Sequence, residues 1–261
     1  MSQTLERPAP HPSGAGRPAA GETFRGTLAR LGTAQKGAVG APAYSRFVNR
    51  RLGRVLAAIA HRAGLTPNAV TGLSALCSAT GIALLALVPP SWWMGVGVAA
   101  LLVLGYALDS ADGQVARLRG GGSPAGEWLD HMVDAAKIVT LHLALLVGAY
   151  RFGTIDRGPW LLVPVGFAVV SVVLFFGTLL NESLRAQHGA TTRAAATGER
   201  PGVLRSLVVA PTDYGVLCLV FLLLGAPGVF LAAYGLLFLA TGAFLVLACA
   251  KWFSEMGRLV R

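Results

Sequence analysis

The sequence predicts an all-α, polytopic membrane protein: six transmembrane helices preceded by a juxtamembrane amphipathic helix. Three features of the chain point there. Hydrophobic residues make up 54% of its 261 positions and charged residues 13%, about half the ~25% charged fraction of a soluble domain. The mean hydropathy is +0.61, and several apolar runs approach or exceed the ~20 residues that cross a bilayer as helix. The basic residues, finally, gather in alternate connections between those runs, as the positive-inside rule requires. Together these features exclude a disordered chain, a secreted disulfide scaffold and a soluble nucleic-acid-binding domain. The net charge of +10 is therefore read as topology, with no nucleic acid as partner. Cys77, Cys218 and Cys249 all fall inside apolar runs. They have no metal-ligand spacing and read as small packing residues.

Taken in chain order, residues 1–41 are rich in Pro, Gly, Ala and Arg with little periodicity, which predicts a disordered cytoplasmic tail. No apolar core followed by a small-residue cleavage site is present, so no signal peptide is expected. Within residues 42–65, Tyr44, Phe47, Val48, Leu52, Val55, Leu56 and Ile59 recur at three- and four-residue spacing, with Arg46, Asn49, Arg50, Arg54 and His61 mostly on other faces. Such a basic amphipathic helix suits the headgroup plane beside anionic lipid, although a packed soluble helix would show the same pattern. Residues 66–252 form the transmembrane domain, with spans predicted at 67–88, 93–118, 124–149, 160–184, 214–226 and 229–250. Residues 253–261 form a cytoplasmic C-terminal end.

The Lys and Arg residues orient this arrangement. Those before Thr66, then Arg117 and Arg119, then Arg185, Arg193, Arg200 and Arg205, and finally Lys251, Arg258 and Arg261 all fall on one side of six spans. The other side holds only Arg151 and Arg157. Both termini are thus expected in the cytoplasm of a cell whose plasma membrane carries the protein. Trp92, Trp93 and Trp160 open spans on the outer side and Trp252 closes the last on the inner side, as an aromatic belt would.

Five of the 12 acidic residues lie between Asp109 and Asp134: these two with Asp112, Glu127 and Asp130. They sit at the cytoplasmic ends of the second and third spans. An intramembrane carboxylate is a functional candidate by default, and so dense a cluster calls for a counter-charge. Asp109 and Asp112 share a helix face at i, i+3. Asp130 and Asp134 share one at i, i+4, with Glu127 one turn earlier and Lys137 just beyond. If those faces meet, four carboxylates converge about a turn inside the interface. Hard oxygen ligands of this kind suit Mg²⁺ or Mn²⁺, and two such ions would form the clamp used in phosphoryl transfer. Gly113 and Ala116 leave room for a ligand to approach the helix, or serve ordinary helix packing. Arg117 offers a bidentate phosphate donor. The segment 119–124 is a glycine-rich hinge, and Gly126 keeps the next helix start slim.

From Asp112 the chain runs Asp-Gly, two residues, Ala-Arg, eight residues, Gly126, three residues, Asp130, three residues, Asp134, with Asp109 three residues upstream. This pattern resembles the full signature of the CDP-alcohol phosphotransferase (CDP-alcohol phosphatidyltransferase) family, which fixes these eight positions over 26 residues. The resemblance extends over residues 43–250, including the six spans, the amphipathic helix and a Thr66-Pro67-Asn68 opening to the first span. It implies that an alcohol attacks the β-phosphorus of a CDP-linked donor, CMP leaves and a phosphodiester forms. It further implies that Asp109, Asp112 and Asp130 hold two Mg²⁺ or Mn²⁺ ions, and that Asp134 shares in one metal and serves as general base. Gly113, Ala116, Arg117 and Gly126 would line the cytidine diphosphate site, and the protein would be a homodimer among membrane lipids.

The composition is similar to that of bacterial members, which take CDP-diacylglycerol as donor and a polar alcohol as acceptor. The run 123–127 followed by Asp130-His131 instead resembles choline and ethanolamine phosphotransferases, which deliver a CDP-linked headgroup to diacylglycerol. Lys137, Arg185, Arg205 and Asp213 are candidate acceptor contacts. Topology alone also accounts for Arg185 and Arg205, and an ion pair with the carboxylates accounts for Lys137. Glu127 and His131 could support the metal site from behind its ligands or cap the helix, while His142 reads as a packing histidine. A reading from another class is a cation transporter, which would place its carboxylates near the bilayer midplane on broken helices.

Overall fold

The computed structural model describes residues 23–33, 42–153, 158–190 and 209–259, and among these the chain is helical with no strand. Helix α1 is Phe24–Thr33. A π-helical turn, Ser45–Asn49, leads into α2, Arg50–Arg62. Four long helices follow: α3 at Pro67–Leu87, α4 at Trp92–Leu118, α5 at Pro124–Phe152 and α6 at Leu162–Gln187. A short helix α7, Tyr214–Val220, tightens into a 3₁₀ segment Phe221–Gly225, and α8 is Pro227–Leu259.

Local chemistry sets the helix starts. The Thr66, Ser91 and Ser123 hydroxyls accept hydrogen bonds from the backbone N–H of Ala69, Met94 and Gly126 (3.1, 3.2 and 3.1 Å), and Pro67 and Pro124 stand where a missing N–H costs nothing. Among the described residues, five helical segments are long and apolar enough to cross a membrane: 67–87, 92–118, 124–152, 159–187 and 227–259. The predicted fifth span is the 12-residue stretch Tyr214–Gly225. With α and 3₁₀ rises it covers roughly 20 Å, short of the ~30 Å hydrocarbon core.

Small residues let the spans approach closely. α3 packs on α4 and α5, α5 on α6, and α6 on α8. Gly105 faces Ser74 and Ser78 of α3, and the Ser74 hydroxyl donates to the Gly105 carbonyl at 2.8 Å. Gly148 lies against the Leu85 backbone so tightly that a Cβ would overlap the Leu85 carbonyl oxygen. This is the small-residue packing expected where lipid offers no hydrophobic drive. The main core joins Leu102, Leu141, Phe167, Phe221, Phe230 and Tyr234 among others.

The tail departs from expectation. Residues predicted to be disordered include α1, whose Phe24, Leu28 and Leu31 repeat at i, i+4, i+7. Leu31 is fully buried in a second cluster with Ala57, Ala58, Val70, Ala111 and Val115. Phe24 is exposed, and Leu31 with the half-buried Leu28 suffices because α2 offers them a wall of alanines. α2 itself buries Gly53, Ala57, Ala58 and Ala60 against its neighbours and leaves Leu52, Val55 and Ile59 outward, as the π-helical turn before it leaves Val48. An outward row of large apolar side chains suits a lipid surface better than water. At the other end, α8 runs on to Leu259, so most of the predicted C-terminal end continues the last helix.

Candidate active site

Antiparallel α4 and α5 meet through residues 119–123. Gly120 and Gly121 take φ of 93° and 133° there, values that only glycine adopts without strain. After this return α4 and α5 both pack on α3 rather than closely on each other, and Asp109 and Asp112 stand across the gap between them from Asp130 and Asp134. The Lys137 ammonium lies between the helices, donating to Asp109 Oδ1 at 2.9 Å and to Asp134 Oδ1 at 2.8 Å. It also lies 6.0 Å from the centre of the Tyr214 ring. Its side chain is only 5% exposed, so the lysine is a buried counter-ion to both carboxylates, and it also lines a cavity beside them. Asp112 is buried too, and Oδ2 accepts a 2.6 Å hydrogen bond from the Thr71 hydroxyl on α3. Asp130 and Asp134 both act electrostatically on Asp109 and on Asp112. The four carboxylates therefore form one cluster.

Donor atoms of Asp130, His131 and Asp134 lie within 4.8 Å of one another. Two ligands of one Mg²⁺ ion, each at 2.0–2.1 Å, sit about 4 Å apart or less, so this group could close on an ion with a small adjustment. His131 thus joins the possible ligands. Glu127 is exposed, 3.9 Å from the His131 ring.

The remaining signature positions surround this cluster. A Cβ on Gly113 would meet nothing closer than the Arg117 guanidinium at 3.6 Å, so helix packing does not demand glycine there. Ala116 is buried. The Arg117 Nε is buried with no hydrogen-bond partner among the described residues, an unsatisfied donor beside the carboxylates. Gly126 is crowded, since a Cβ would stand 3.1 Å from Asn68 Oδ1. Its smallness serves the junction of α3 and α5 whatever else it does.

Of the predicted acceptor contacts, Arg185 is engaged by Glu255 at 2.7 Å, pinning α6 to α8. Asp213 caps α7: Oδ1 accepts from the Gly215 N–H at 3.0 Å and Oδ2 from the Ser45 N–H at 2.8 Å. Burial pushes its carboxyl above the ordinary range, partly offset by these backbone donors. Arg205 lies outside the described residues.

Beside Asp109, Asp134 and Lys137 opens a cavity of about 310 Å³ bounded by α5, α6, α7 and α8. Sequence reading missed two features of the site. Thr71 is 41 residues from the Asp112 it holds, with no local pattern to join them. Tyr106 and Tyr214 pack edge to face at 5.2 Å beside the cluster. His142, read as a packing residue, is buried and stacked on Phe167 as expected, and it also lines the cavity with Ser171 and Thr241.

A helical integral membrane protein with a carboxylate cluster where two spans meet, flanked by an unsatisfied arginine, has the parts of a membrane phosphotransferase. The family model for CDP-alcohol phosphatidyltransferases matches residues 64–252, and the chain belongs to that family. It is therefore an enzyme of phospholipid synthesis, and the cation-transporter alternative is set aside. A crystal structure of phosphatidylinositol phosphate synthase (PgsA1) from Mycobacterium tuberculosis, in complex with manganese and citrate, is similar over 77% of this chain and 87% of that one. The identity is 24% and the TM-score 0.48. No curated protein matches the chain significantly.

Proposed function

We propose that the protein transfers a phosphatidyl group from CDP-diacylglycerol to the hydroxyl of an alcohol, releasing CMP, at the cytoplasmic face of the plasma membrane. The observation that carries this reading is the cluster of Asp109, Asp112, Asp130 and Asp134 beside the unsatisfied Arg117 Nε. The oxygen-rich donor set fits Mg²⁺ or Mn²⁺, and we assign it two ions per site, with Asp109, Asp112, Asp130 and Asp134 as ligands. Bound there, the ions would neutralise the diphosphate and the charge that develops on departing CMP.

The chain's own residues then divide the work. Arg117 donates to a phosphate oxygen of the donor, and the open position at Gly113, with Ala116 and Gly126 as small neighbours in the same signature, admits the cytidine diphosphate. Thr71 holds one oxygen of Asp112 and leaves the other for the site. Lys137 fixes Oδ1 of Asp134, leaving Oδ2 to accept the hydroxyl proton. The alcohol oxygen bonds to the β-phosphorus, the bond from that phosphorus to the bridging oxygen breaks, and CMP leaves with the electron pair.

The distribution of Lys and Arg supports cytoplasmic termini and a cytoplasmic site, and family resemblance supports a homodimer. A second reading, transfer of a CDP-linked headgroup to diacylglycerol, is favoured by the run 123–127 with Asp130-His131. Purified protein offered CDP-diacylglycerol with alcohols, and CDP-choline with diacylglycerol, separates the two. CMP release only in the second pairing would overturn the first reading.

A further inference from the structure

The cavity beside the carboxylates bears on the acceptor. It runs from Asp109, Asp134 and Lys137 along α5 to His142, eight residues beyond Asp134 and about 12 Å further along the helix. Its volume, about 310 Å³, reaches the lower end of small-molecule sites. The charges at its mouth are already committed. The Lys137 ammonium is shared by two carboxylates at 2.8 and 2.9 Å, and both Asp213 oxygens accept backbone N–H groups. Arg185, the other described cation proposed for an acceptor phosphate, is held by Glu255 and does not line the cavity.

Farther in, every polar group among the described lining residues is an uncharged hydroxyl or imidazole. His142 Nδ1 is 2.6 Å from the Tyr234 hydroxyl and Nε2 is 3.3 Å from Ser171 Oγ, a pairing that a neutral ring satisfies in either tautomer. The Thr178 and Thr241 hydroxyls donate to the carbonyls of Leu174 and Pro211. What these threonines keep is acceptor lone pairs, which suit incoming O–H donors and repel a phosphate. Phe167 and Phe175 add aromatic faces, the usual partners of the apolar faces of a ring.

We infer that the acceptor is an uncharged polyol, a cyclitol or sugar, seated in this cavity with one hydroxyl at Asp134 and others against Ser171, Thr178 and Thr241. The inference rests on the transfer reading above and names its alcohol class.

The test is CMP release by full-length protein in detergent with CDP-diacylglycerol and Mg²⁺. Matched acceptors are compared: myo-inositol against inositol 1-phosphate, and glycerol against glycerol 3-phosphate. At least tenfold higher kcat/KM for the uncharged member of a pair is expected. Equal or better use of the phosphorylated members would overturn the inference and leave the transfer reading intact. Release with no acceptor, from protein shown to be folded, would overturn the transfer reading and the inference with it. Ser171→Ala should raise KM for the polyol roughly two- to tenfold, the range for one lost neutral hydrogen bond, with KM for CDP-diacylglycerol unchanged. His142→Gln, which keeps a polar group in place, should shift the same constant. Acceptor KM unchanged in both folded variants would overturn the seating at Ser171.

Discussion

Replacing Lys137 with methionine separates a structural counter-ion from a substrate contact. The ammonium is held at 2.9 Å from Asp109 and 2.8 Å from Asp134, with its side chain 5% exposed. At these distances, with an effective dielectric of ~20, each pair attracts by roughly 6 kcal/mol before desolvation. Desolvation cancels much of that gain, and removing one partner of a buried pair typically costs about 3–5 kcal/mol. The two pairs share one lysine, so their costs do not add. Asp109 is 18% and Asp134 27% exposed, and water can relieve part of the stranded charge. The figure of 3–5 kcal/mol therefore stands for both pairs together, a fall in apparent Tm of roughly 6–20 °C for a chain of this size. Thermal unfolding in detergent, followed by tryptophan fluorescence in EDTA and again with saturating Mg²⁺, measures it. The Lys137→Met protein should lose stability in EDTA and regain more than wild type when Mg²⁺ is added, because the cation replaces the missing positive charge. Equal Tm for variant and wild type in EDTA, with only the acceptor KM altered, would refute the counter-ion role.

Other perturbations test neighbouring parts of the site. Asp112→Asn and Asp130→Asn should each abolish CMP release while the protein still elutes as a folded species on size-exclusion chromatography; near-normal turnover in both would sink the metal assignment. Thr71→Val removes the hydroxyl that orients Asp112. It should raise the Mg²⁺ concentration needed for turnover by about 10–100-fold, the usual effect of losing a partner behind a metal ligand, with activity returning at high Mg²⁺. Gly148→Ala drives a methyl into the Leu85 carbonyl and should destabilise the α3–α5 contact by about 1–3 kcal/mol, visible as a lower Tm with kcat per folded molecule preserved.

Much of this site could be read in the sequence because its key residues lie close together along two adjacent helices. Asp109 to Arg117 fall on the last turns of one span and Gly126 to Asp134 on the first turns of the next, so helical spacing and a glycine hinge bring them together. Lys137, three residues past Asp134, was legible for the same reason, although only the fold shows it bridging to Asp109 across the interface. Contacts between distant segments left no such trace. Thr71 reaches Asp112 from another helix, and the pairing of His142 with Ser171 and Tyr234 joins three spans. Nothing periodic in any one of them signals a shared cavity. Helix α1 escaped notice because its apolar face is short and gains its burial from the alanines of α2. The stretch Tyr214–Gly225 kept its apolar character, but its 3₁₀ end and its length depend on the packing of Phe221 and Leu224 against α4 and α8.

The central claim is that the carboxylate cluster transfers a phosphatidyl group from CDP-diacylglycerol to an alcohol. The most direct test follows CMP and the lipid product together, in purified wild-type protein and in Asp112→Asn, with CDP-diacylglycerol, Mg²⁺ and a panel of alcohols. The expected result is equimolar CMP and phosphodiester lipid from the wild type with at least one alcohol, lost on adding EDTA and absent from Asp112→Asn. Equal CMP release by the folded variant, or none by folded, Mg²⁺-supplied wild type with any alcohol, would contradict it.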